Sequence, residues 1–584
     1  MVAQAQQPIP LESPGYYGLN TELSPMHTDH RYALRADNAV IDELGRLCSR
    51  EAFKIYTNTN DLNLASPDDV DFELTRMGVG YWADTHHCIA AVWAPTAKTA
   101  HLVRVEATGL FNIPIPTLPN PEGFKRAQII EFRERLYVFS EGNPVISTDA
   151  STADFLSNDP AFKPPMTGSG ATPDPGTPIV TDIDGTVACS AYGRLWVAGV
   201  NGEYDRIYYS DLLIPTQWFD GRAFDAANPG NTPGYDTQNS GGIIDVREYW
   251  PDGDDRIEGL VAHNGFLIVF GRRSIIVYAN PQGDPAGSPG IQMADALSGI
   301  GLISRDAIVN IGSDLLFLDK SGVRSFGRTI QEKSIPLGDM SANIKRVVKK
   351  RIVNEPDWSS ISMWYSRNRG IVGLLFPEDR DAYIFSIKEP TETGALKVTH
   401  WTECDFNHAT HIEWGETNET FLAGRRGSGA RIYRDYDPVD SYDFHFESVS
   451  CALSPIQTQK RYPKRIVYSL AVQKIDEDAI AWWGYDNALS YSQNFRIVAT
   501  NIAYFTNPGG DPTDHTVPAT HVAHDSAMFN IDRFGDKAGD LRDYKINAQG
   551  KGTYFRVGLQ VPIHGGGRVA IQEITVHTLL GRID

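Results

Sequence analysis

One strand-turn-strand pattern returns along most of this chain, and no other feature limits its fold as strongly. A Gly or Asn turn leads into an almost wholly apolar strand, then comes a second turn and a strand ending in aromatic or polar residues. Copies begin at Arg133 (RERLYVFSEGNPVISTD), Gly193 (GRLWVAGVNGEYDRIYYSD), Asn264 (NGFLIVFGRRSIIVYAN), Ser313 (SDLLFLDKSGVRSFG), Asn368 (NRGIVGLLFPEDRDAYIFSI) and Asn418 (NETFLAGRRGSGARIYRDY). A weaker copy starts at Cys88 (CIAAVWAPTAKTAHLVRVE). A strand that is apolar throughout is buried on both faces, whereas alternation marks one wet face. Another strand with a polar turn precedes several copies, as in AQIIEFR from Ala127, DRIEGLVAH from Asp255 and ATHIEWGE from Ala409. An all-strand unit repeating every roughly 50 to 70 residues predicts an all-β fold with a β-propeller of about six blades, the weaker copy being a candidate seventh. A sandwich would not repeat so regularly.

The repeats place the propeller at residues 81–440, between an extended N-terminal segment (1–80) and a C-terminal region (441–584). In that last region longer alternating strands appear, KRIVYSLAVQKI from Lys464, AIAWWGYD from Ala479 and GTYFRVGLQVPI from Gly552. Half-buried alternation of this kind predicts a β-sandwich. Gly/Pro/Asn/Asp-rich insertions at Ser157–Pro178, Ala226–Gly242 and Asn280–Gly290 read as long loops on a rigid scaffold. Helices are expected only at Asp68–Gly78 and Ser341–Ile352, the second capped by Ser341. Its Lys345, Arg346, Lys349, Lys350 and Arg351 could meet phosphate, although a solvated helix face is the plainer expectation.

Composition narrows the function. The formal net charge of −20 argues against a protein that wraps or reads nucleic acid, but not against a surface that DNA slides past. No apolar run reaches the roughly 20 residues that span a bilayer, and the N-terminus lacks a basic-then-apolar signal, so a soluble chain made in a cytoplasm is expected. The five cysteines, Cys48, Cys88, Cys189, Cys404 and Cys451, are too far apart for a CxxC site and are expected as reduced thiols.

Several motifs imitate catalytic sites. PIVTDIDGTVACS (Pro178–Ser190) looks like the Asp-x-Asp-Gly-Thr nucleophile strand of dehalogenase-type hydrolases. Those enzymes need a parallel sheet with alternating helices, and here hairpins follow. Asp182, Asp184 and Gly185 therefore read as a turn opening a blade strand. DGDD (Asp252–Asp255) falls in a turn rather than at a metal-binding sheet edge. Propellers also host sialidase-like glycosidases, which gather arginines, a tyrosine and paired carboxylates at the central mouth. No blade here carries their Ser-x-Asp-x-Gly-x-Thr-Trp box, and the nearest echo, DKSGVRSFG from Asp319, reads as a hairpin turn. His86 and His87 are adjacent, so on a strand they face opposite ways and cannot chelate together. GRRGSGAR (Gly424–Arg431) lacks the Lys-Ser/Thr end and the helix of a phosphate cradle. No catalytic, cofactor-binding or metal-ligating residue is assigned, no cofactor is expected, and the chain is not expected to be an enzyme.

The N-terminal stretch from Gly15 to Thr57 resembles the opening of phage tail proteins at Gly18, Asn20, Pro25, Ala36, Asn38, Ile41, Asp42, Gly45, Leu47 and Arg50. It departs from them at Glu51, where a Gly often follows the Arg. The closing stretch GKGTYFRVGLQVPIHGGGRVAIQEITVHTLLGRI is similar to the last strands of the same group. With the propeller between them, the arrangement resembles the nozzle (tail tubular protein B) family of short-tailed bacteriophages. The resemblance implies a structural virion protein in the tail, assembled in the infected bacterium's cytoplasm. It implies a homohexameric ring that docks on the tail adaptor, helps hold fibres or tailspikes and meets the host envelope. Genomic DNA would leave through its lumen without specific binding, and the long loops would narrow that lumen before ejection. The alternative is a glycan-binding or glycan-cleaving propeller that recognises a receptor.

Overall fold

The structure is a computed structural model that describes residues 7–42, 44–58, 73–106, 109–165, 180–218, 241–251, 253–281, 291–332, 339–414, 417–424, 431–435, 441–453, 459–473, 475–486, 488–499, 503–504, 518–519, 540–564 and 567–583. Most of the three Gly/Pro-rich insertions lies outside the described residues, as do all but the ends of Gly424–Arg431.

Seven antiparallel strand groups form the ring, and each of the repeats read from sequence supplies the middle of one. Four are separate four-stranded sheets, spanning Glu73–Ile113, Gln128–Phe155, Val187–Asp245 and Ile257–Ser298. The fifth has three strands, Ile308–Asn310, Leu315–Asp319 and Gly322–Ser325, followed directly by the helix Phe326–Glu332. The sixth runs from Ser362 to Trp401. In the seventh, strands Phe406–Trp414, Thr417–Gly424 and Arg431–Asp435 are completed by Phe53–Asn58 from the N-terminal segment. The weak copy at Cys88 is thus a full blade, the first.

The ring closes. First strands of successive blades pack side by side from the first blade to the fourth and from the fifth to the seventh, and that of the seventh packs on that of the first. Between the fourth and fifth blades, Asn310 donates to the Ala262 carbonyl at 3.5 Å. Apolar layers fill the gaps between neighbours, for example Val138 and Ile146 of the second blade against Ile89 and Leu102 of the first. Closure with an N-terminal strand hydrogen-bonded into the last blade leaves the ring no free seam, which matters because an open sheet edge invites foreign strands.

Two strands lying within residues 1–80 therefore belong to the ring, Phe53–Asn58 and most of Glu73–Trp82, and the boundary at 80 falls inside a blade. The helix expected at Asp68–Gly78 is a strand from Glu73 onward. Leu74 and Met77 are three apart, which mimics a helical face. A β-bulge between Leu74 and Arg76 adds one residue, and this restores both side chains to the same buried side.

The C-terminal region is a sandwich of two sheets. One contains Gln459–Gln473, Asp540–Asn547 and Arg568–Ile583; the other contains Tyr442–Ser448, Ile475–Tyr485, Ala488–Ala499 and Tyr554–Ile563. Ile466, Tyr468 and Val576 of the first meet Phe446, Leu559 and Trp483 of the second in one core. The Tyr468 hydroxyl crosses between the sheets to the Gly558 carbonyl at 3.0 Å.

The N-terminal strands are woven into both sheets. Gln7–Glu12 and Leu47–Ser49 pair with Arg568–Ile583. Tyr32–Asp37 pairs with Tyr442–Ser448 on one side, and Gly18–Leu19 pairs in parallel with it on the other. Gly18 also pairs with Val398 in the outer strand of the sixth blade. One sheet thus runs unbroken from the sixth blade through the N-terminal strands into the sandwich.

The helix at Lys345–Asn354 forms where expected, preceded by a 3-10 turn at Ala342–Ile344. Ser341 does not cap it. Its hydroxyl instead donates to Asp339 and accepts from the Val323 amide. Its cations largely face acids of the same chain: Lys345 meets Asp339, Arg346 meets Glu22, and Arg351 meets Asp379 and Asp381.

Candidate functional site: the propeller mouth

Charged residues in or just before the first strands of the blades meet near the ring axis, where the seven first strands converge. Asp306, just before the fifth blade, receives Arg76 of the first blade at 2.7 Å and Arg305 at 2.8 Å. Arg305 then reaches across the axis, donating to the carbonyls of Arg126 (2.9 Å), Ala127 (3.2 Å) and Thr186 (2.6 Å) in the second and third blades. Met363 of the sixth blade donates its backbone N–H to the Asp306 carbonyl at 2.8 Å. Burial opposes the charge on Asp306, but Arg305 and Arg76 outweigh it and hold the carboxyl well below its usual range. The propeller's own tunnel is therefore crossed by an ionic strut.

Above this strut opens a cleft of about 310 Å³. Eight short segments from the second to the sixth blades supply its walls, among them those of Arg126, Tyr204, Arg256, Glu258, Arg272 and Trp358. The Arg256 guanidinium lies 3.6 Å over the Tyr204 ring, with its Nε 3.4 Å from Glu258. Arg272 also pairs with Glu258. Arg126 meets Asp357 at 3.0 Å, and Asp357 in turn accepts the Ser359 amide. Trp358 is 41% exposed, and its orientation is set by an Nε1–H bond of 3.0 Å to the Ile352 carbonyl.

Elsewhere the catalytic look-alikes resolve into scaffolding. Val187–Ala191, which follows DIDGT, pairs antiparallel with Arg194–Val200, not within a parallel sheet. Asp184 accepts the Asn201 amide at 2.7 Å, and burial raises its carboxyl above the ordinary value. Gly185 is required by space, because a Cβ there would lie 2.1 Å from Val197. Asp255 accepts the amides of Arg272 and Arg273 and so ties one turn to another. Asp319 anchors its hairpin by accepting the Ser321 amide at 3.0 Å and pairing with buried Arg324. His86 packs tilted against Tyr81 while His87 stacks on Trp82, so the two rings have different partners. The strands flanking Gly424–Arg431 pair antiparallel, as a hairpin does. All five cysteines are free, and among the described residues no three His, Cys, Asp or Glu side chains gather as a metal-holding group.

Sequence reasoning missed the mouth cluster. Arg126, Arg256, Arg272 and Arg305 sit in four separate connections of three blades, and in the sequence each alone is an ordinary arginine. Their one shared signal is position just before or between the buried strands of a repeat.

No family model matches the chain, and no curated protein does. Solved structures similar to it include the Neurospora crassa Pan2 WD40 domain, at 6% identity over 67% of this chain and 97% of that one, with a TM-score of 0.35. The computationally designed Ika8 protein matches at 8% identity over 65% of this chain and 99% of its own, with a TM-score of 0.30. An exo-beta-1,3-galactanase from Phanerochaete chrysosporium matches at 7% identity over 77% and 95%, with a TM-score of 0.23. At such scores the superpositions carry no functional argument, and the propeller rests on the order of its own strands.

Proposed function

We propose that this β-propeller protein is a structural virion component, the nozzle at the distal end of a short phage tail. Copies of it would close a ring, sixfold by the family resemblance, around the path of the departing genome. The observation that carries this reading is the weave of both chain ends into one sandwich whose sheet continues into the sixth blade. Such a joint passes force from platform to propeller through a continuous hydrogen-bonded sheet rather than a hinge. A part of a tail that is pressurised and then emptied needs that stiffness more than it needs chemistry, and the role is mechanical.

Because Arg305 crosses the propeller tunnel, the DNA path in this reading follows the axis of the assembled ring. The net charge of −20 favours passage, since a lumen rich in Lys and Arg would release counterions and grip the strand. The sandwich would dock on the adaptor, while the propeller would face fibres and the host envelope. Negative-stain images of the purified chain mixed with adaptor rings are expected to show six-lobed rings with an open centre. Persistent monomers in the presence of adaptor would count against the proposal.

A further inference from the structure

We propose that the propeller mouth is a binding site for a carboxylate-bearing saccharide. The cleft of about 310 Å³ sits at the lower end of the usual range for small-molecule sites, large enough for one or two sugar rings. Its fittings match that chemistry. Trp358 offers a part-exposed ring, held in place by its bond to the Ile352 carbonyl, and the apolar face of a pyranose can lie against the side that Lys320, 5.8 Å from the ring centroid, leaves open. Glu141 and the Glu258–Arg272 and Arg126–Asp357 pairs present acceptors and donors for hydroxyl groups.

Arg256 selects for the acid. Arg305 is consumed by three carbonyls and Asp306, and Arg272 and Arg126 are each held by a carboxylate. Arg256 differs. Its only described charge partner is Glu258, reached by Nε at 3.4 Å, and its flat face is fixed on Tyr204. Both Nη groups, which bond to no described residue, remain for a ligand carboxylate in the bidentate geometry a guanidinium favours. The four arginines are balanced by Glu141, Glu258, Asp306 and Asp357, so the cleft as a whole is not an anion sink. A sugar ring carrying one carboxylate fits that balance better than a polyanion does. This proposal stands on the geometry of one chain and is independent of whether copies form a ring.

The test is calorimetric titration of the full-length protein with glucuronic acid, with glucose, and with short oligomers of each. Parallel titrations use the Arg256→Ala, Arg256→Lys and Trp358→Ala variants, whose melting temperatures confirm folding. The expected result is saturable binding of the acidic sugars that weakens on the order of tenfold in Arg256→Ala, and by a similar factor in Trp358→Ala. Arg256→Lys should recover only part, because an ammonium cannot grip both carboxylate oxygens. Stronger binding of acidic oligomers than of the single sugar would identify a polysaccharide chain as the source of the ligand; equal binding would identify a free sugar acid. Equal affinity for glucose, absence of binding, or binding untouched in both alanine variants would overturn the assignment.

Discussion

Nδ1 of His400 lies 2.8 Å from Oδ1 of Asp37, across 363 positions of sequence. The other ring nitrogen faces Asp381 at 3.3 Å, and the ring stacks on Tyr383 with centroids 4.9 Å apart. Asp37 ends an N-terminal strand, while His400 and Asp381 belong to outer strands of the sixth blade. Arg35 completes the group beside Asp37, and Arg351 does so beside Asp381. This contact is where the N-terminal strands and the propeller are riveted by charge as well as by backbone.

The rivet makes stability depend on pH. Burial disfavours the His400 cation, but Asp37 and Asp381 more than compensate, so its pKa is raised above 6.5. A group with a raised folded pKa adds stability that is fully present below the unfolded value and is lost as pH rises through the folded one. Melting temperature should therefore fall through the alkaline side of neutrality, and His400→Gln should flatten that part of the curve. His400→Ala, which leaves two buried carboxylates facing one another, is expected to cost about 3 kcal/mol in urea unfolding.

The strut through the propeller axis should be costlier to cut than any surface pair. Arg305→Ala removes the donor to three carbonyls and one of two cations beside Asp306. A loss of about 3–5 kcal/mol is expected by chemical denaturation. Arg305→Lys should restore little, because one ammonium cannot span those acceptors. Asp306 has the opposite linkage to His400. Its folded pKa is depressed, so its contribution is present above the unfolded value of 3.8 and fades as pH falls through the lower one.

Gly18 marks the seam where the sixth blade meets the N-terminal strands. Its φ is +73°, and an added Cβ would lie 2.2 Å from the Val398 carbonyl oxygen. Gly18→Ala should destabilise by more than about 2 kcal/mol, since backbone must move on both sides. Hydrogen exchange by mass spectrometry would check the location, with protection lost at residues 18–19 and 397–401 before it is lost in the other blades.

The five thiols should stay silent in the folded protein. Burial pushes Cys88, Cys189 and Cys451 up to about 12 and also raises Cys48. The reactive thiolate is then scarce at pH 8. Reaction with a disulfide reagent should be slow in buffer and release five equivalents in denaturant, the full cysteine count. Fast reaction of any one native thiol would contradict the packing described.

The blades were legible because their signal is local. A strand buried on both faces must be apolar throughout, and a two-residue turn favours residues that tolerate positive φ, as at Asn264–Gly265 and Asn201–Gly202. The same locality misled at Leu74 and Met77, where a bulge counterfeited a helical spacing. The extent of the sandwich was only half visible. Its long C-terminal strands alternate, but Tyr32–Asp37 and Leu47–Ser49 are short, and nothing near them announces a partner several hundred positions away.

Composition and periodicity by themselves determined that this chain would be mostly strand, built from repeats and acidic overall, since each of those properties is set by neighbouring residues and their solvent. Tertiary structure alone decided which N-terminal strand shuts the ring, that Arg305 bars its axis, and that four unrelated arginines share one cleft. Charges and backbone edges find partners by closeness in space, and a linear chain does not record that closeness until the ring has closed.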